Sequence, residues 1–113
     1  MREDNVGRLK TKLVLQGANI PFTPGAERAL AAKGVLVIPD FIANAGGVIC
    51  AAMEYAGATR AAAFEAIEER IRGNAEAVLA QVQARQVLPR EAAVSLATAR
   101  VRKAMGLRRF SIL

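Results

Sequence analysis

The stretch that decides the fold spans residues 35–52 and reads V-L-V-I-P-D-F-I-A-N-A-G-G-V-I-C-A-A. Its first four residues are apolar and three of them are β-branched, which is typical of a strand covered on both faces of a parallel sheet. Pro39 has no NH to give to a strand ladder, so the strand is expected to end at Ile38. The stretch therefore predicts a buried strand, a sharp turn and the start of a helix.

The turn after this strand carries two adjacent glycines. Asn44 stands where a helix N-cap is expected, and the alanine-rich run 45–56 is predicted to be helical. Gly46 and Gly47 then fall in the first turn, although glycine inside a helix costs about 1 kcal/mol relative to alanine. Two interpretations are open. A ligand approaches the free NH groups at the positive end of the helix, or the glycines only permit a tight turn.

A second strand and a connecting helix precede the stretch. Residues 12–16 are predicted to form the strand, and residues 24–33 the helix, with Thr23 as N-cap and Gly34 at its end. Strand, helix and strand make one right-handed crossover unit, so the two strands are parallel. The residues that follow the first strand lie at the edge where open parallel sheets bind their ligands; they are Gly17, Ala18 and Asn19.

The second half of the chain is predicted to be helical throughout. Helices are expected at 60–86 and 90–104, with Thr59 capping the first and Gly106 stopping the second. Their predicted apolar stripes are Phe64, Ile67, Ile71, Val78 and Val82 in the first helix, and Val94, Ala97, Val101 and Met105 in the second. With the helix at 45–56, the fold class is α/β: a partial Rossmann-like unit of two parallel strands with a crossover helix, followed by three C-terminal helices.

Composition excludes several classes of function. The 113 residues include no histidine and one cysteine, Cys50, so a Ser-His-Asp or Cys-His pair, a typical zinc site and an internal disulfide are not expected. We predict no metal site and no catalytic residue in this chain. Apolar runs are shorter than the ~18 residues that a membrane span needs, and no signal peptide is recognisable, so a cytoplasmic location is expected.

The net charge of +6 comes mainly from the second half of the chain. Five basic residues and no acidic residue lie from position 100 onward: Arg100, Arg102, Lys103, Arg108 and Arg109. Such a cluster can bind nucleic acid, but more often it is a solvated helix end whose cations complement the helix dipole. Phe110 is the only aromatic residue beside it, which weakens the nucleic-acid interpretation.

Two sequence blocks resemble one enzyme family. The string Q-G-A-N-I-P-F-T-P-G-A at 16–26, followed by P-D-F-I-A-N-A-G-G-V-I-C-A-A-M-E-Y at 39–55, is similar to the C-terminal part of the nicotinamide-binding domain of the glutamate/leucine/phenylalanine/valine dehydrogenases. The resemblance runs through most of the chain. Residues 1–57 would be the second half of that domain, and residues 58–113 a helical segment packed on it within a single compact domain.

The resemblance implies roles for individual residues. The asparagine matching Asn19 lies beside the nicotinamide ribose, and the one matching Asn44 hydrogen-bonds the nicotinamide carboxamide, for which an amide offers both a donor and an acceptor. The cofactor-binding residues it implies are Gly17, Ala18, Asn19, Asn44, Gly46 and Gly47. Val48 and Ala51 match substrate-pocket positions. Ala51 stands where glutamate-specific members have serine, and Gln16 stands where glutamate is frequent; both are departures from the family.

The resemblance implies part of an NAD- or NADP-dependent enzyme that oxidatively deaminates an amino acid. A Gly-x-Gly-x-x-Gly phosphate loop and the family's catalytic lysine region have no counterpart here, so the chain alone is expected to be inactive. Two alternatives stay open: a non-catalytic remnant that forms a homo-oligomer or pairs with the remainder of the enzyme through exposed strand edges and helix faces, and, less favoured, a basic nucleic-acid-binding module.

Overall fold

The computed structural model describes residues 1–108, and the side chain of Arg108 is not part of that description. The chain begins with a 3-10 turn, Val6–Arg8, and then alternates strands and helices. The elements are β1 (Leu13–Leu15), α1 (Pro24–Ala32), β2 (Leu36–Ile38), α2 (Asp40–Ala43), α3 (Gly46–Tyr55), α4 (Arg60–Arg85) and α5 (Pro89–Arg108). This is the α/β architecture predicted from the sequence, with two parallel strands, a crossover helix and three C-terminal helices.

The two strands pair in parallel, with Val14 beside Val37 and Leu15 beside Ile38. Each strand is shorter than predicted, three residues instead of four or five. The ladder ends as expected at Pro39, just after the Gln16 NH donates to the Ile38 carbonyl at 3.2 Å. The carboxyl ends of both strands therefore meet at one edge of the sheet.

The sheet separates two hydrophobic clusters. On one face, Val37 packs with Phe22, Ala26 and Leu30 beneath α1. On the other face, Ile38 packs with residues of α2, α4 and α5, among them Val78, Ala92 and Ala93. The crossover helix and the C-terminal helices thus cover opposite faces, which is the layering that an apolar parallel strand requires.

The helix boundaries depend on local caps, most of which the sequence revealed. Thr23 caps α1 and Thr59 caps α4, each accepting a hydrogen bond from the backbone NH three residues on, at 3.2 Å. Gly34 and Gly57 follow α1 and α3 with φ of +72° and +73°, the left-handed conformation that glycine adopts without strain. The predicted ends of α1 and α3 are confirmed within about two residues.

Two predicted boundaries are wrong. Asn44 does not cap α3; it is the C-cap of α2, and Ala45 precedes α3 without a side-chain cap. The prediction missed α2 because four residues are too few for a hydrophobic period to appear. Gly106 does not stop α5, which continues to Arg108. A single helical glycine costs only about 1 kcal/mol, and Gly106 has no positive φ.

The apolar stripe predicted for α5 is also wrong. Val94, Val101 and Met105 are exposed, and the helix packs instead through Ala92, Ala93 and Leu96. Small residues at the start of α5 let its backbone approach β2 and α4 closely, a choice that hydrophobicity alone does not reveal. In α4 the stripe is correct from Ile67 onward, but Phe64 is exposed and the neighbouring Ala63 is buried in its place. No helix within residues 1–108 is long and apolar enough to cross a membrane.

Candidate functional site

Asn19 and Asn44 lie together at the carboxyl edge of the sheet. Asn19 follows β1 and Asn44 follows α2, the short helix after β2. The Asn44 Nδ2 donates to Asn19 Oδ1 at 2.7 Å and also approaches the Gly17 carbonyl at 3.4 Å. We call Asn19 and Asn44 the asparagine pair. The predicted meeting of these two residues at one rim is present in the structure.

The hydrogen bonds fix which way each amide points. A backbone carbonyl only accepts, so the atom of Asn44 that faces Gly17 is the NH₂ group. The atom of Asn19 that faces the same NH₂ must then be its oxygen. Within residues 1–108, no hydrogen bond uses Asn44 Oδ1 or Asn19 Nδ2. One acceptor and one donor of the pair are thus available to a ligand at the rim.

The remaining predicted site residues lie around the pair in different settings. Gly17 and Ala18 are exposed in the loop after β1. Gly46 faces α4, since a Cβ there would lie 3.6 Å from an Ile67 methyl group, whereas nothing lies within 4 Å of a Cβ at Gly47. The close neighbour at Gly46 is therefore another helix. Val48 and Ala51 are exposed on α3, so neither is a core residue in this structure. Their cofactor and substrate roles stay predictions.

A polar cluster of three buried side chains and one partly exposed arginine lies next to the asparagine pair. It consists of Gln16, Glu27, Asp40 and Arg90, and we call it the Arg90 cluster. Arg90, at the start of α5, reaches both Glu27 carboxylate oxygens from Nε at 2.8 Å, Asp40 Oδ1 from Nη1 at 3.1 Å and Gln16 Oε1 from Nη2 at 2.7 Å. Gln16 is 1% exposed, Asp40 6% and Glu27 7%. The guanidinium of α5 thus joins α1, α2 and the residue that follows β1.

Further hydrogen bonds complete the cluster. Within residues 1–108, every buried side-chain nitrogen and oxygen atom has a hydrogen-bond partner. Gln16 Nε2 donates to Glu27 Oε1 at 2.8 Å, and Gln16 Oε1 accepts from the Asp40 NH at 3.1 Å. Asp40 Oδ2 accepts from the Ile20 NH at 2.8 Å. Such complete satisfaction is what makes a buried charged group tolerable.

These contacts shift the pKa values of Asp40 and Arg90. Burial alone would raise the pKa of Asp40, but hydrogen bonds from the Ile20 and Phe41 NH groups and from Arg90 outweigh it, and the pKa lies below its ordinary value. The hydrogen bond to Glu27, followed in order by burial, which opposes it, and by the hydrogen bond to Asp40, raises the pKa of Arg90. Because the Asp40 pKa is depressed in the folded state, its contribution to stability is present above the ordinary carboxyl range and is lost as pH falls through the folded value.

Sequence reasoning missed the Arg90 cluster. Arg90 is separated from its three partners by 63, 50 and 74 residues, so no local pattern connects them. One signal was available: Gln16 and Asp40 each end an apolar strand segment, where a polar side chain pointing inward needs a partner.

The exposed basic residues of α5 do not form a site with this rim. Arg100 donates to Asn74 Oδ1 at 2.7 Å, and Arg102 and Lys103 are exposed. Arg109 and Phe110, which belong to the predicted nucleic-acid cluster, lie outside the described residues, and so does the side chain of Arg108. The nucleic-acid hypothesis stays a prediction.

Comparison with known proteins places the chain in a family. The family model Glutamate/Leucine/Phenylalanine/Valine dehydrogenase matches residues 1–109. The NADP(+)-dependent glutamate dehydrogenase of Pyrobaculum calidifontis is 43% identical over 117 residues, covering 96% of this chain and 27% of the relative. Glutamate dehydrogenase of Aeropyrum pernix is 36% identical, covering 94% of this chain and 28% of the relative.

A solved structure shows the same arrangement. The crystal structure of glutamate dehydrogenase from Peptoniphilus asaccharolyticus superposes with a TM-score of 0.80 at 28% identity, and the match covers 95% of this chain and 29% of that protein. The chain thus spans between a quarter and a third of the length of the proteins it matches. These matches show that the chain belongs to the glutamate/leucine/phenylalanine/valine dehydrogenase family.

Proposed function

We propose that this chain carries the nicotinamide-facing part of the dinucleotide-binding domain of an amino-acid dehydrogenase that uses NAD or NADP. The observation that supports this most directly is the asparagine pair, in which Asn44 donates to Asn19 across the ends of two parallel strands. The pair leaves one donor and one acceptor at the rim, which matches the one donor and one acceptor of a carboxamide. A nicotinamide cofactor, when bound, would supply the hydride acceptor of oxidative deamination.

The chain's own residues fit the binding part of that reaction and not its chemistry. Asn19 and Asn44 would hold the carboxamide and so select one face of the ring. Val48 and Ala51, both exposed on α3, would contact the substrate. Ala51 has no hydroxyl to meet a side-chain carboxylate, which favours an apolar amino acid over glutamate. No residue of the chain matches the family's catalytic lysine region.

We expect nicotinamide mononucleotide to bind the isolated chain weakly, with a dissociation constant on the order of 1 mM, because only part of a cleft contributes contacts. Adenosine monophosphate should bind far more weakly, since the phosphate loop is absent from the sequence. Isothermal titration with both nucleotides makes the comparison. Asn44→Ala should remove the preference, whereas Asn74→Ala, on α4 and away from the rim, should preserve it. Equal binding of both nucleotides would contradict the proposal.

We expect the purified chain to show no dehydrogenase activity, because no position of its sequence matches the family's lysine and aspartate acid/base groups. The assay follows NADH and NADPH absorbance with leucine, valine, phenylalanine or glutamate present. Activity above the buffer blank that disappears in Asn44→Ala would show that the chain itself holds the reacting groups.

A second function is favoured by the exposed face of β1. Leu13 is 49% exposed and Leu15 63%, on a sheet face where the neighbouring β2 side chains are covered by α4 and α5. Within residues 1–108 the sheet has two strands, so the outer edge of β1 is unpaired as well. An unpaired apolar strand is a template for pairing with another chain. We therefore infer that β1 associates with a second copy or with the remainder of such an enzyme. Sedimentation equilibrium should show self-association that Leu15→Lys abolishes; a monomer at millimolar concentration would exclude association with a second copy.

A further inference from the structure

Ile20 has a backbone conformation that its own sequence disfavours. Its φ is +48°, in the left-handed region where a β-branched residue is a genuine outlier. It also precedes Pro21, and a proline restricts the preceding residue to extended conformations. The side chain is 83% exposed, so packing does not compensate. Something else must hold this loop, and such local strain often occurs where a binding site is formed.

The group that holds the loop is the Asp40 carboxylate. Its Oδ2 accepts the Ile20 NH at 2.8 Å, in a charge-assisted hydrogen bond to a buried anion. The backbone of the same residue accepts the Asn44 NH at 2.8 Å. Asp40 therefore contacts the loop that carries Asn19 on one side and the residue Asn44 on the other. One residue thus connects the backbone beside Asn19 with the backbone of Asn44.

Asp40 is in turn fixed from the far end of the chain. Arg90 donates to Oδ1, the oxygen that does not hold Ile20, and Gln16 accepts from the Asp40 backbone NH. Arg90 itself is held by both oxygens of Glu27 on α1. The Asp40 carboxylate thus accepts a hydrogen bond from Arg90 of α5 at Oδ1 and one from the Ile20 NH at Oδ2. A guanidinium fork is suited to this, because its donors have a fixed planar geometry.

We propose that Asp40 and Arg90 are positioning residues for the nicotinamide rim: through them, helix α5 fixes the Ile20 loop and so the Asn19–Asn44 distance. This inference rests on the proposed function for its biological meaning, but its geometry can be tested without any ligand. It assigns to α5, which contributes no residue to the rim itself, a role in cofactor affinity beyond covering the sheet.

The test combines two measurements on the 113-residue chain. Amide hydrogen exchange and side-chain NH₂ resonances, followed by NMR, report the Ile20 hydrogen bond and the asparagine pair without ligand. Nicotinamide mononucleotide titration reports the rim. The variants are Asp40→Asn, Arg90→Met and the conservative Arg90→Lys. The matched control is Val78→Ala, which removes methyl groups from the hydrophobic cluster around Ile38 and leaves the hydrogen-bonding groups of the Arg90 cluster unchanged.

In Asp40→Asn and Arg90→Met, exchange at Ile20 should accelerate on the order of tenfold or more relative to the β2 amides, as expected for loss of a hydrogen bond to a charged group. The Asn44 NH₂ resonances should move, and nucleotide affinity should fall by a similar factor. Arg90→Lys should show a smaller acceleration of exchange and a smaller loss of affinity than Arg90→Met, because lysine keeps the positive charge. Val78→Ala should accelerate exchange at β2 and Ile20 alike and leave the Asn44 resonances in place.

Two results are distinguishable. If Ile20 and Asn44 respond to Arg90→Met no differently than to Val78→Ala, Arg90 acts only on global stability and the inference is overturned. If they respond as expected while the wild-type chain binds no nucleotide, the proposed function is overturned and the connection between α5 and the loop stands.

Discussion

Replacing Arg90 with methionine is expected to lower the free energy of unfolding by about 3–5 kcal/mol, the usual cost of removing one partner from a buried ionic cluster. Methionine keeps much of the side-chain length but leaves the buried carboxylates of Glu27 and Asp40 without their cation. That cost is a large fraction of the stability of a small domain. Urea unfolding at neutral pH measures it.

The control is Arg72→Met, which removes an exposed ion pair within α4, between Arg72 and Glu68. Both of those side chains are about two-thirds exposed, at 66% and 70%, so we expect a change of at most about 0.5 kcal/mol. If Arg90→Met leaves the chain unfolded in buffer, Arg90→Lys supplies the measurement, with a smaller loss. Equal effects at Arg90 and Arg72 would contradict the importance of the cluster.

Gln16→Glu is expected to destabilise the fold by about 2–3 kcal/mol at neutral pH although it changes only one atom. Gln16 Nε2 donates to Glu27 Oε1 at 2.8 Å. A glutamate there would replace the donor by a second acceptor, so that two carboxylates meet in a site where Gln16 is 1% exposed. The amide of glutamine supplies the donor that the Glu27 carboxylate needs at this buried position.

The pH dependence of Gln16→Glu has a definite sign. Two carboxylates that share a site raise the pKa of one of them in the folded state. The protonated pair restores a hydrogen bond, so the destabilisation is small below the ordinary carboxyl pKa of about 4 and reaches its full value once pH exceeds the raised folded pKa. Unfolding at pH 4 and pH 7, each relative to wild type, measures the difference. Adding Glu27→Gln should recover part of the loss; a pH-independent loss, or none, would refute the assignment.

The sequence predicted the part of the fold that is specified locally. Val37 and Ile38 show their burial in a run of apolar residues, and Thr23, Gly34 and Thr59 mark helix ends by side-chain and backbone chemistry that acts over three or four residues. The asparagine pair followed from the same logic, since both residues come after parallel strands and such ends meet at one edge.

The errors share a physical cause, which is that tertiary contacts decided the outcome. Asn44 fits an N-cap by residue type, yet its NH₂ group is used across the rim by Asn19 and Gly17. The face of α5 that packs is made of alanines because β2 and α4 approach closely there. Arg90 lies 50 to 74 positions from its three partners in the cluster, so only the folded chain brings it to them.

The asparagine pair, joined by the hydrogen bond from Asn44 to Asn19, is the proposed contact for the nicotinamide carboxamide. Its most direct test is an NMR titration of the isotope-labelled chain with nicotinamide mononucleotide, following the side-chain NH₂ resonances of Asn19 and Asn44. We predict saturable shifts at these two amides, larger than at Asn74, with adenosine monophosphate producing none. Shifts that occur only at the basic end of α5 would contradict the proposed nicotinamide contact. So would the absence of any shift at Asn19 and Asn44 at the highest nucleotide concentration of the titration.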